Sequence, residues 1–183
     1  MPASAHDVAA AIRRRLPGVA LLKLHKLLYF CQGHHLAWFG EPLFVESLQA
    51  WNHGPVVAEV WLAEHYNEPP EVVNDLDNGQ LNTVGYVISR YGTNTGHDLE
   101  IFTHHEGPWE EAYRRESGDR DRHTIFVDSL RAFFLEVHAT DHAEDEFEPD
   151  PEALAAFLAG AHERREQPAA PDTRESLLAR LNG

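Results

Sequence analysis

A mainly α fold is predicted for this sequence: a compact helical domain around one buried central helix, with a small β-hairpin. Three observations carry that expectation. The stretch Leu22–Phe39 holds no proline and is long enough for about five helical turns. Several further segments repeat apolar residues at helical spacing between glycine, proline and capping signals. Only Leu43–Trp51 reads as short extended runs, Leu43-Phe44-Val45 and Leu48-Gln49-Ala50-Trp51 about Glu46-Ser47, as in a hairpin.

In the long stretch, Leu24, Leu27, Leu28, Cys31, His35 and Trp38 share one broad face, while Tyr29 and Leu36 occupy another. A helix apolar on more than one side is buried by several neighbours. Its third sector carries Lys23, Lys26, Phe30 and His34. That sector reads as a solvated stripe in which lysine stems cover apolar surface, with a cationic, aromatic docking stripe as the sharper alternative. The lysines, histidines and Gln32 argue against a membrane span.

The other elements follow in order. Asp7 is placed to cap a helix over Val8–Leu16 that Pro17-Gly18 stops, with Arg13, Arg14 and Arg15 at its negative end. The central helix ends at Gly40. Asn52-His53-Gly54-Pro55 is expected to be a turn, and Pro55 the first residue of a helix carrying Val56, Val57, Val60 and Trp61. Asp77 or Asn78 caps Gln80–Tyr91, and Thr95-Gly96 leads into His97–Thr103. Pro108 opens a helix from Trp109 to about residue 116, Ser117–Arg122 is a charged loop, and Ile125–Val137 repeats a helical apolar pattern. From Ala139 the composition turns acidic, with 11 acidic against 4 basic side chains over 139–183. The division expected is therefore a domain over 1–138 and an acidic linker with a helical tail over 139–183. Within that tail, Leu154, Phe157 and Leu158 share one side of a helix and are candidate partner-binding anchors.

Composition excludes several functions. The net charge of −15, from 30 acidic and 15 basic residues, argues against nucleic-acid binding and suits encounter with a basic partner. The lone Cys31 rules out an internal disulfide and a cysteine-based zinc site. Met1–Ala11 lacks the basic start and apolar run of a secretory signal, so the cytoplasm is the expected compartment. The 13 histidines raise a metal hypothesis on His34-His35, His53 and His104-His105 with Glu106, but no spaced pair of the H-E-x-x-H kind occurs. No metal or cofactor is expected. Nucleophile-elbow, P-loop and dinucleotide fingerprints are also missing. A His- or metal-dependent hydrolase, whose site is assembled in space, stays as the alternative of another class.

Two blocks, Ala50–Val57 and Leu99–Trp109, each pair a proline with a tryptophan. The architectural reading is that Trp51 and Trp109 fill core space, and that His53 and His104 bond buried backbone carbonyls. Taken in order, Lys-Leu-x-Lys-Leu-Leu-Tyr-Phe at 23–30, Ala-Trp-x-x-Gly-Pro-Val at 50–56 and Leu-x-x-x-Thr-His-x-x-x-Pro-Trp at 99–109 resemble the SocA-like antitoxin family, the Panacea domain, also described as phage-associated proteins. The resemblance extends over roughly residues 6–138; His25 and Cys31 stand where the family more often has Gln and Ala.

This resemblance implies a mainly helical, non-enzymatic protein that neutralises a toxin encoded beside it by direct binding. Family toxins are diverse, including translation inhibitors and alarmone-synthetase types. One branch instead acts as an adaptor delivering its toxin to an ATP-dependent protease. Lys23, Lys26, Tyr29, Trp51, His53, Gly54, Pro55, Thr103, His104, Pro108 and Trp109 are the family-motif residues and are expected to be mainly structural. No catalytic residue comes with them, and the toxin-contact surface is expected outside these blocks.

Overall fold

The structure is a computed structural model that describes residues 1–68, 74–105, 107–115 and 123–144. Met1–His142 form one compact unit; of a second unit, Ala143–Gly183, only the end of the last helix is described. The fold is mainly α. Among the described residues there are seven helices: α1 Ala5–Arg15, α2 Leu21–Phe39, α3 Ala58–His65, α4 Asn78–Tyr91, α5 Gly96–His104, α6 Gly107–Tyr113 and α7 Val127–Glu144. A two-stranded antiparallel sheet, β1 Leu48–Trp51 and β2 Gly54–Val57, lies between α2 and α3 in sequence.

Helix α2 is the centre. Every residue from Leu24 to Leu36 is buried, because α1, α4, α5 and β2 pack against it from different sides. The Lys26–Phe30–His34 sector is consequently not solvated: all three side chains are enclosed. Phe30 stacks on Tyr91 of α4 at 4.1 Å between centroids, and His34 bonds the Tyr91 hydroxyl at 3.2 Å and His138 of α7 at 3.0 Å. Trp38, placed by periodicity on the apolar face, is instead 40% exposed near the helix end. Gly40 terminates α2 in the left-handed region, φ +74°, with its N–H donated to the Leu36 carbonyl. The chain after it is pinned by one side chain: Gln32 accepts from the N–H groups of Leu43 and Phe44 and donates to the Phe44 carbonyl.

Capping chemistry sets three other helix starts. Ser4 rather than Asp7 is the N-cap of α1, and Asp7 closes the reciprocal bond from the third helical position. The same box recurs as Asp77 with Gln80 on α4 and Thr95 with Asp98 on α5.

The hairpin is shifted one element along from the expected position. Leu43–Val45 is not one of its strands. The Asn52-His53 turn joins β1 to β2, with Trp51 opposite Gly54 and Ala50 opposite Pro55. Pro55 therefore belongs to β2 and does not open a helix; α3 starts three residues later. A strand at a sheet edge can hold a proline because it need not donate outwards. Beyond β1, Thr124 forms an antiparallel bridge with Gln49, flanked by hydrogen bonds from Ala50 N–H to His123 O at 2.7 Å and from Ile125 N–H to Leu48 O at 2.8 Å. Helix α7 accordingly begins at Val127, and it continues past residue 138. Glu106, the whole charged loop Ser117–Arg122, and the tail residues Leu154, Phe157 and Leu158 lie outside the described residues.

Candidate partner-binding cleft

The three sequence blocks meet at one place. Lys26 of α2 points its ammonium at the hairpin and donates to the Pro55 carbonyl at 3.2 Å. Gly54, at φ +93°, passes directly over it. A Cβ at that position would stand 2.7 Å from Lys26 Cε, 2.8 Å from Nζ and 2.9 Å from Thr103 Oγ1. Only a residue without a side chain fits between the Lys26 stem and α5. Thr103 is itself buried, its hydroxyl donating to the Glu100 carbonyl. Burial pushes the Lys26 ammonium down to about 8, with Glu100 acting in the opposite sense.

The far side of the turn is gripped by aromatic residues. Trp109 of α6 donates its indole N–H to the Trp51 carbonyl at 3.2 Å. His104 packs on the Trp109 ring at 4.2 Å and is hydrogen-bonded to the Asn52 backbone. Tyr113 stacks on the Trp109 ring at 4.7 Å and donates to the Asn52 side-chain oxygen. Pro108 is buried at the start of α6. Lys23 and Tyr29 work away from this point: Lys23 donates to the Gly92 carbonyl at the end of α4, and Tyr29 packs edge-on against Phe30 and Phe134 in the core.

Between α2, the hairpin, α3 and α5 lies an open cleft of about 840 Å³. Leu21, Leu22, His25 and Lys26 form one wall, Trp51 and Val56 another, and Trp61 and Glu100 stand at its sides. Trp51 is half-buried, and it meets Trp61 edge-to-face at 5.3 Å. It is thus a wall of the cleft as well as filler. His53 is exposed and among the described residues bonds no backbone carbonyl; its Nδ1 meets the Glu100 carboxylate at 2.9 Å, and His97 approaches the other oxygen at 3.5 Å. The bond from His53 holds the Glu100 carboxyl below the usual range. His25 accepts from Val57 N–H through Nδ1 at 3.4 Å, so its proton sits on Nε2. Nε2 has no partner among the described residues. Burial pushes His25 down to about 4, which leaves it neutral.

The arrangement supplies apolar surface, a shaped cleft and hydrogen-bonding groups. No group of three or more His, Cys, Asp or Glu among the described residues is arranged to hold a metal ion. Cys31 is buried in α2, where desolvation raises its thiol far above the ordinary value. Sequence reading missed Leu22, His25, Trp61 and Glu100 as parts of one site. Their signal was faint but present: Leu22, His25 and Lys26 share one face of α2 at i, i+3 and i+4, and Glu100 precedes Thr103 by one turn.

Residues 24–110 match the antitoxin SocA-like, Panacea domain family. The matched Panacea segment runs from α2 to α6, a narrower stretch than the 6–138 expected from motifs. It contains every wall of the cleft except Leu21, Leu22 and His123. No curated protein and no solved structure matches the chain. The matched family is described as one of SocA-like antitoxins. Among the described residues no helix is long and apolar enough to cross a membrane.

Proposed function

We propose that this chain is the antitoxin of a toxin–antitoxin pair, acting in the cytoplasm. It neutralises a cognate protein toxin encoded by the adjacent gene through direct binding and without catalysis. The observation that carries this reading is the Panacea match over the segment that builds the cleft. The charge of −15 adds to it, since an acidic surface accelerates encounter with a basic partner and repels nucleic acid. The acidic tail with Leu154, Phe157 and Leu158 is a second proposed contact, docking as an amphipathic helix.

The test is co-expression with the neighbouring gene, scored by growth and by co-purification of the two proteins. Growth arrest by the neighbour alone, and its relief with a stable complex, is the expected result. A neighbour that is harmless, or whose toxicity this chain does not relieve, refutes the reading. Repeating the rescue in cells lacking an ATP-dependent protease separates masking from delivery to proteolysis: masking survives the deletion, whereas an adaptor loses its effect.

A further inference from the structure

We infer that the cleft between α2, the hairpin and α5 is a toxin-contact site, which places the contact within the motif blocks rather than outside them as the resemblance implied. Its occupant is an extended segment of the toxin presenting one large apolar side chain beside a backbone carbonyl. This assignment rests on the antitoxin reading above. Its first support is shape and lining. A cleft of about 840 Å³ walled by Leu21, Leu22, Ala50, Trp51, Val56 and Trp61 is too apolar to be left to water, and it has the size and character of sites that enclose ligands. Leu22 is 36% exposed at the rim, so the apolar surface reaches the outside.

The second support is polar. His25 is 2% exposed, lines the cleft, and has an Nε2–H with no acceptor among the described residues. A buried donor is costly until something accepts from it. The third is charge. Lys26 and Glu100 are opposite charges lining the same cleft, and Glu100 is further met by His53 and His97. With His25 neutral, the cleft offers donors without a net field. That matches an uncharged acceptor such as a peptide carbonyl better than a phosphate or carboxylate. An apolar side chain with a carbonyl one bond from its Cα is what an extended peptide supplies. A second copy of this chain is a poor occupant, because two molecules of charge −15 repel.

The experiment titrates the purified full-length chain with the purified product of the adjacent gene, following heat of binding and melting temperature. Leu22→Glu places a charge at the rim and Trp61→Ala removes a wall; each should weaken binding at least tenfold. Leu22→Glu, at a partly exposed position, should keep the parental melting temperature. Leu135→Glu, on the exposed side of α7, should bind as the parent does. Parental affinity in both cleft variants, or an equal loss in Leu135→Glu, overturns the assignment while leaving the antitoxin reading intact. A parent that neither binds nor rescues fails the antitoxin reading and takes this assignment with it.

Discussion

Gly54 concentrates the logic of the site in one residue. Its positive φ is a conformation that costs a side-chain-bearing residue about 1–3 kcal/mol, and its missing Cβ is the space that Lys26 and Thr103 use. Gly54→Ala should therefore destabilise the fold by about 2 kcal/mol or more and loosen the Lys26–Pro55 bond. Urea unfolding checks this, and a parental midpoint would show that the hairpin shifts freely. The residue scale is also where sequence reading was least secure. Trp109 and His104 read as architectural, and both hold the Asn52-His53 turn. His53 also read as architectural, yet it faces solvent and bonds a carboxylate from a helix 47 positions away. A histidine next to a turn gives no local sign of whether a carbonyl or a distant acid will meet it.

Elements were more legible, because helices announce themselves through a 3.6-residue period and through glycine and capping residues at their ends. The misplaced hairpin has a physical cause. Pro55 after a polar turn is as good a helix start as it is an edge-strand residue, and only the pairing of Trp51 with Gly54 decides between them. The buried sector of α2 was unreadable for a related reason. Lysine and histidine on a helix face read as solvated until neighbouring elements are placed over them. One such neighbour sets a limit that can be tested. At Gly33 a Cβ would stand only 2.2 Å from the ring of Phe134, so α7 lies against bare α2 backbone. Gly33→Ala should force Phe134 aside and cost about 1–3 kcal/mol, the scale for overpacking, despite the better helix propensity of alanine. A rise in melting temperature would mean that α7 yields without strain.

For the whole molecule, buried histidines set how stability responds to acid. Burial pushes His25 down to about 4 and His34 to about 3, from 6.5. Between those values and 6.5 the unfolded chain binds protons that the folded chain refuses, so stability falls as pH drops through this window. Lys26 behaves alike at the alkaline end: with its folded value near 8 against 10.5, its contribution rises as pH climbs between them. Urea midpoints should therefore be lower at about pH 5 than at about pH 7, and equal midpoints would mean that the histidines are reached by water in the folded state. The mainly helical class was readable at this scale from pattern alone. That three blocks distant in sequence close on one cleft was not, since motif order carries no information about distance.

The grouping of indoles around the hairpin has an optical consequence. Of the four tryptophans, Trp51 and Trp61 wall the cleft and Trp109 is bonded to Trp51, whereas Trp38 sits toward the end of α2. Trp61 lies flat on His65 at 4.6 Å, Trp109 packs against His104 at 4.2 Å, and Trp38 lies 5.5 Å from the His34 ring and 5.2 Å from that of His138, so three of the four indoles have an imidazole beside them. With three of the four indoles gathered at the hairpin, most of the intrinsic fluorophores report on the site rather than on the rest of the fold. Whatever displaces water from the cleft shifts that emission to the blue, and an encounter with the partner becomes visible in the intrinsic spectrum without a dye.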